Sequence, residues 1–289
     1  PTVRTTIFTI MSSLAKEHNA LNLSQGFPDF ESDPVLIELV SQAMKNGHNQ
    51  YAPMMGVIEL RTAIAQKFKE LYQSSYSPEK EIVITVGATQ AIFTIISAFI
   101  HTNDEVIIFT PAYDCYQPSV ELQGGKVIPI QLQYPKNTID WSLVENSITS
   151  KTKMIIINSP QNPSGSIFSL SDMKRLEKIT NNTDIIILSD EVYEHMIFDG
   201  KKHQSICLFP ELKKRSFITA SFGKTFHNTG WRVGYCCGPE NLMREFIKVH
   251  QFNVYSVNHP VQIALAKYLE EPKHYNLLPE FFQNKRDLF

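Results

Sequence analysis

Lys224 sits in "SFGKTFHNTGWRVG" (residues 221–234), among Gly223, Thr225, Asn228, Thr229 and Gly230, directly after a strand-like stretch. That setting builds neither an apolar core nor an ordinary solvated face. A partly buried lysine beside another cation, here Arg232, has its pKa lowered and becomes a neutral nucleophile able to form a Schiff base. Asp190 ends the apolar run "DIIILSD", where a carboxylate is desolvated and needs a cationic or hydrogen-bonding partner. "VGATQA" (86–91) is a tight turn opening a helix. The amides of Ala88, Thr89 and Gln90 there face outward with the positive end of the helix dipole, which suits a phosphate. Ser221 and Arg232 add a hydroxyl and a fixed cation for the same anion. Taken singly, each feature has a plainer reading: an empty turn, a helix cap, a surface ion pair. Asn162 and Tyr193 are hydrogen-bond donors in turns, and alone each reads as structural. His195 and His227 are lone histidines that loop hydrogen bonds can satisfy, and neither is assigned a catalytic role.

The elements that must position these groups alternate along the middle of the chain. Strand candidates are short, apolar and β-branched: 81–86, 104–110, 125–132, 153–159, 184–190, 216–221 and 232–237. Helical stretches such as 88–100, 114–123 and 171–181 lie between several of them. Nearly continuous apolar strands spaced by helices predict an α/β fold with a mostly parallel sheet of about seven strands, covered on both faces. Before it, Asp33 as N-cap, Pro34 at the first helical position and Gly47 past the end predict a helix between them, and 56–72 predicts a second. In an open parallel sheet ligands bind beyond the carboxyl ends of the strands. Five strand ends here carry "GATQ", "PAYDCY", "PQNPSG", "DEVYEH" and "FGKTFHNTG", so they converge on one rim. An anion seat, a buried carboxylate and a nucleophilic amine on that rim are the groups pyridoxal 5′-phosphate needs. The carboxylate keeps the pyridine nitrogen protonated, and the ring then acts as an electron sink.

Bulk composition narrows the alternatives. The 289 residues are 43% hydrophobic and 19% charged, as in a globular protein with a sizeable core. A net charge of -2 offers no reason to expect nucleic acid or an anionic membrane as partner. No apolar run approaches the roughly 20 residues of a membrane span; the longest, "AIFTIISAFI", reads as a buried helix. Cys115, Cys207, Cys236 and Cys237 lack zinc-site or disulfide spacing, so no metal is expected and the thiols read as free. With no basic-then-apolar leader visible, a cytoplasmic location is expected. The chain opens on Pro1 rather than Met, so leading residues are expected upstream.

Seven stretches, in order and suitably spaced, carry a resemblance: "NLSQGFPDF", "QYAPMMGV", "GATQA", "PAYDCY", "NSPQNPSG", "SDEVYEHM" and "SFGKTFHNTGWRVGY". The chain resembles the class I/II aminotransferases of the pyridoxal phosphate fold type I, nearest to the methionine and kynurenine group. The resemblance implies that Lys224 anchors the cofactor and acts as base, and that Asp190 pairs with the pyridine nitrogen. It also implies that Asn162 and Tyr193 bind the ring's phenolic oxygen and that Tyr113 stacks on the ring. The phosphate falls to Ala88, Thr89, Gln90, Ser221 and Arg232. Tyr51 would reach the phosphate of a neighbouring subunit, making the active unit a homodimer. Gly26, Phe27 and Asn162 would lie beside the substrate, an amino acid or a 2-oxo acid.

The implied layout is an N-terminal segment with a helix (1–45), a cofactor-binding large domain (46–270) and the start of a C-terminal small domain (271–289). "HYNLLPEFFQNKRDLF" reads as a helix that stops in mid-pattern, and the rest of the small domain is expected to be absent from this sequence. With it goes the arginine by which the family grips the substrate carboxylate, since none follows Arg286. The same groups would also serve a β-lyase acting on cysteine conjugates, or a module that binds the cofactor without catalysis. "QFNVYSVN" (251–258) and Phe27 could face an apolar substrate side chain, or simply pack.

Overall fold

The protein is described from a computed structural model covering residues 5–26, 28 and 30–288. Seven strands form one sheet: β1 (Ile82–Thr85), β2 (Glu105–Thr110), β3 (Lys126–Gln131), β4 (Thr152–Asn158), β5 (Ile186–Asp190), β6 (Ser216–Ser221) and β7 (Gly234–Cys237). Their spatial order is β1-β7-β6-β5-β4-β2-β3. The run from β3 to β6 is parallel, while β7 is antiparallel to both β1 and β6. This is the α/β architecture and mostly parallel seven-stranded sheet expected from the sequence, with every strand where its apolar run lies.

The central strands are apolar at nearly every position because helices cover both faces. Ile155, Ile157 and Ile187 face one core with Ile64, Phe68 and Tyr235. Met154, Ile156 and Leu188 face the other with Ile92, Ile95 and Phe246. Only β3, at the edge, is largely exposed.

The helices ahead of β1 are α1 (Ile7–Glu17), α2 (Pro34–Lys45) and α3 (Ile58–Tyr72). Within the sheet region run α4 (Gly87–Phe99), α5 (Tyr116–Leu122), α6 (Trp141–Ser147), α7 (Leu170–Thr180), α8 (Pro210–Lys213) and α9 (Phe222–Thr225). After β7 come α10 (Glu240–Asn253), α11 (His259–Tyr268), α12 (Lys273–Asn276) and α13 (Leu278–Leu288). Their limits follow local chemistry. Asp33 accepts the Val35 N–H to start α2, with Pro34 at its first position. Ser169 and Asp172 cap α7 reciprocally. The C-terminal helical stretch is broken in two, and Pro279 stands in the first turn of α13.

Two stretches lie largely at the surface. Helix α1 buries none of its residues. The "QFNVYSVN" aromatics face outward: Phe252 is 87% exposed at the end of α10, and Tyr255 is 52% exposed beyond it. Neither lines the cleft described below. Phe27 lies outside the described residues.

Candidate active site

The carboxyl ends of β4, β5 and β6, with the amino end of α4, frame a cleft of about 480 Å³. Its walls include Gly26, Ala88, Thr89, Tyr113, Asn162, Asp190, Tyr193, Ser221, Lys224 and Arg232. Ten of the sequence-selected positions therefore meet in one place. Gln90 and Tyr51 do not. The Gln90 side chain turns back along α4, and Tyr51 is 81% exposed, its ring 5.8 Å from that of Tyr255.

The turn into α4 is shaped by Gly87. Its φ of +72° is open to glycine at little cost, and a Cβ there would stand 2.8 Å from Nη2 of Arg232. The missing side chain thus lets the guanidinium lie against the turn. Arg232 adopts φ +57° itself and donates from Nη1 to the Thr229 carbonyl at 3.0 Å. Thr85 Oγ1 donates to the Gly87 carbonyl at 3.0 Å, and Gln90 Oε1 accepts the Val86 N–H at 3.0 Å. The Gly87, Ala88 and Thr89 N–H groups belong to the first helical turn, which has no intrahelical acceptors. Together with the dipole and Arg232 they form an anion seat.

Asp190 is 3% exposed at the last position of β5. Burial raises its carboxyl from 3.8 to about 6, although hydrogen bonds from the Tyr116 hydroxyl at 2.6 Å and the Val192 N–H at 3.3 Å favour the anion. Among the described residues no salt bridge neutralises it. A protonated ring nitrogen of the cofactor would supply the missing cation. Asn158 steadies the neighbouring backbone: its Nδ2 donates to the Asp190 carbonyl at 3.0 Å and its Oδ1 accepts the Asn162 N–H at 2.7 Å.

Lys224 projects from the short helix α9, and its Nζ lies 5.7 Å from the centre of the Tyr193 ring. Its pKa is lowered, first by burial and then by Arg232, with Asp190 opposing. The amine is thereby biased toward the neutral, nucleophilic form. The Tyr193 phenol is pushed up to about 12 by burial and by Asp190, so it stays a donor. Tyr113 is raised in the same direction by burial, and its hydroxyl lies 3.3 Å from Thr89 Oγ1. The residues fit pyridoxal phosphate on the structure's own terms: an anion seat, a buried carboxylate lacking a cation, and a depressed amine.

Sequence reasoning missed Tyr116 and Asn158. Tyr116 stands three residues past Tyr113 in the quoted "PAYDCY", and Asn158 is the polar last residue of an otherwise apolar strand. Both signals were present in type and place. Glu191, next after Asp190, turns away from the cleft. Its carboxylate accepts from Ser189 Oγ at 2.8 Å and the Ile206 N–H at 3.0 Å, and lies 2.8 Å from His203 Nε2.

The sequence profile described as "Aminotransferase class I and II" matches residues 18–289. Methionine aminotransferase of Escherichia coli is 45% identical over 289 residues, covering all of this chain and 75% of that protein. Human kynurenine–oxoglutarate transaminase 3 is 36% identical over 96% of this chain and 65% of its own length. Among solved structures, an E. coli protein reported with a methionine aminotransferase function superposes with a TM-score of 0.95, at 44% identity, over 99% of this chain and 77% of that one. N-succinyldiaminopimelate aminotransferase of Mycobacterium tuberculosis gives 0.94 at 32% identity, over 99% and 76%.

Proposed function

The chain belongs to the class I and II aminotransferases, enzymes whose cofactor is pyridoxal 5′-phosphate, and we propose that it moves the amino group of methionine or an aromatic amino acid to a 2-oxo acid. The observation that carries this reading is the meeting of Lys224, Asp190 and Arg232 in one cleft. When bound, pyridoxal phosphate supplies the electron sink for negative charge at the substrate α-carbon. The remaining work falls to the chain's own side chains. Lys224 Nζ would take the proton from the substrate α-carbon, as its lowered pKa allows. Asp190 would keep the ring nitrogen protonated, and Tyr116 holds that carboxylate in place. Asn162 and Tyr193 would hold the phenolic oxygen. Arg232, Ser221 and the Ala88 and Thr89 amides would hold the phosphate, while Tyr113 would lie against the ring.

The substrate preference rests on the cleft wall as well as on the relatives. Phe8, Met196, His227 and Phe282 give it an apolar, polarisable lining suited to a thioether or an aromatic ring. Tyr51 and Tyr255, exposed side by side, are read as the groups that complete a neighbouring site, so the working unit is a homodimer. Four cysteines without a disulfide suit a reducing, cytoplasmic setting. No helix among the described residues is long and apolar enough to cross a membrane.

The test is to load the protein with pyridoxal phosphate and supply methionine with a 2-oxo acid acceptor. The 2-oxo acid of methionine should accumulate only while acceptor is present. With a cysteine S-conjugate in place of methionine, release of pyruvate, ammonia and a thiol without acceptor would replace this reading with β-elimination.

A further inference from the structure

We propose that His250 is a positioning residue for the phosphate-binding turn and acts on it through Gln90. His250 lies on α10, is fully buried, and touches neither the cleft nor Lys224. Its Nε2 lies 3.1 Å from the Met54 carbonyl, an atom that only accepts, so Nε2 carries the proton. The other nitrogen, Nδ1, is then an acceptor, and Gln90 Nε2 donates to it at 3.3 Å. The second Gln90 proton goes to Thr94 Oγ1 at 2.6 Å, which also accepts from Asn253 Nδ2 at 2.8 Å. With both amide protons committed, Gln90 Oε1 has one orientation left, and it accepts the Val86 N–H at 3.0 Å.

The consequence lies at the anion seat. Val86 is the N-cap of α4 and has no side-chain hydrogen bond of its own to fix the turn. Gln90 ties down the N-cap backbone from inside the helix and leaves the first-turn N–H groups free, and His250 decides which way round the amide sits. An amide turned end for end would aim a donor at the Val86 N–H and release the Thr85–Val86 peptide that leads into the turn. Burial holds the imidazole below its ordinary pKa, consistent with one neutral tautomer. The same ring grips the strap bearing Tyr51 through the Met54 carbonyl, while the Met55 carbonyl accepts the Ile84 N–H at 2.9 Å. One imidazole therefore ties the turn into α4 to the strap that pairs with β1.

This inference rests on the turn being that seat, so the test compares pyridoxal phosphate with pyridoxal, which lacks the phosphate. Dissociation constants are measured from the absorbance of the bound cofactor for wild type, His250→Ala, His250→Asn, Gln90→Leu and the His250→Ala/Gln90→Leu double variant. His250→Ala and Gln90→Leu should each weaken pyridoxal phosphate about tenfold, the scale of one buried hydrogen bond, and leave pyridoxal within about twofold. The double variant should be no worse than either single one, because both act on one chain of bonds. His250→Asn, which keeps an acceptor toward Gln90, should recover most of the loss. Equal weakening of both ligands, or of neither, overturns the proposal. A wild type indifferent to the phosphate overturns the seat itself. Should the variants not fold, long-range proton–nitrogen spectra of the wild type decide: a proton on Nε2, with Nδ1 shifting on addition of pyridoxal phosphate but not pyridoxal, supports the relay. A proton on Nδ1 refutes it.

Discussion

The Tyr116 hydroxyl donates to Asp190 Oδ2 at 2.6 Å, and both side chains are buried at the inner wall of the cleft. This bond favours the ionised carboxylate, while burial works against it and prevails, carrying Asp190 from 3.8 to about 6. A carboxyl raised in the folded state contributes stability that is fully present below pH 3.8 and is lost as pH rises through about 6. Above that range the cofactor-free protein carries a buried charge costing on the order of 3 kcal/mol. Asp190→Asn should therefore raise the melting temperature of the cofactor-free protein at pH 8 and change it little near pH 4, while abolishing transamination. Tyr116→Phe should lower stability at pH 8, since it removes a donor to the anion. Melting curves at the two pH values check both signs. A destabilised Asp190→Asn at pH 8 would mean that the carboxylate is better solvated than its burial implies.

Lys224 and Arg232 are coupled by charge. Burial is the larger cause of the lowered lysine pKa, Arg232 the second, and Asp190 acts in the opposite sense. Arg232→Met should thus move the pH midpoint for covalent attachment of pyridoxal to Lys224 upward, and Asp190→Asn should move it downward. Pyridoxal is the right probe because it makes no phosphate contact that the arginine substitution could remove. Midpoints that shift together, or not at all, would show that burial alone tunes the amine.

Behind the sheet, Lys67 and Glu194 form a buried ion pair, and Glu194 also accepts from the Tyr72 hydroxyl at 2.6 Å. Burial would raise the Glu194 carboxyl, but Lys67, His195 and these bonds outweigh it and hold it at about 2. Its stabilisation is present above pH 4.5 and is lost as pH falls through about 2. His195, pushed down to about 4 by burial, adds a loss that begins below pH 6.5. Lys67→Met should cost about 3–5 kcal/mol, because it strands a buried carboxylate. The double variant Lys67→Met/Glu194→Leu should cost clearly less than the single one. Denaturant unfolding at pH 7 measures both, and a double variant worse than the single would show that the pair itself stabilises the fold.

Much of this was legible in the sequence because one rule governs it. Apolar β-branched runs such as "MIIIN" and "DIIILSD" have both faces covered, so pattern alone placed strands β4 and β5 and the polar residues ending them. Lys224 was legible because of the small, polar and glycine residues around it and the neighbouring Arg232. The exposure of helix α1 was not: Ile7, Ile10, Met11 and Leu14 share one face at helical spacing, yet that face stays uncovered among the described residues. The orientation of Gln90 was equally hidden. Sequence places it in the first turns of α4, but the choice between facing the phosphate and facing inward depends on His250, 160 residues away. The "QFNVYSVN" aromatics stayed undecided between pocket and packing for a related reason. Composition suggests an apolar pocket, yet whether a ring faces the cleft or solvent is settled by how α10 docks on α4.

The remaining prediction concerns the substrate side chain. His227 follows Lys224 by three residues at φ +58°, and its carbonyl accepts from Ser32 Oγ at 3.0 Å. Its ring packs edge-on to Phe30 at 4.4 Å and lies 5.5 Å from both Phe281 and Phe282. Burial and the nearby Lys285 hold it below its ordinary pKa, so at neutral pH it presents an uncharged aromatic face. Of the three phenyl rings, only Phe282 lines the cleft, together with His227 and Lys224. Removing an apolar wall forfeits binding in proportion to the substrate surface it covered, and a substrate without a side chain to cover loses nothing. Phe282→Ala should therefore lower kcat/KM for methionine about tenfold and for phenylalanine at least as much, while leaving alanine within about twofold. Parallel progress curves on the three amino acids with one 2-oxo acid acceptor decide the matter. An equal loss on alanine would place Phe282 in the support of Lys224 rather than in the choice of substrate.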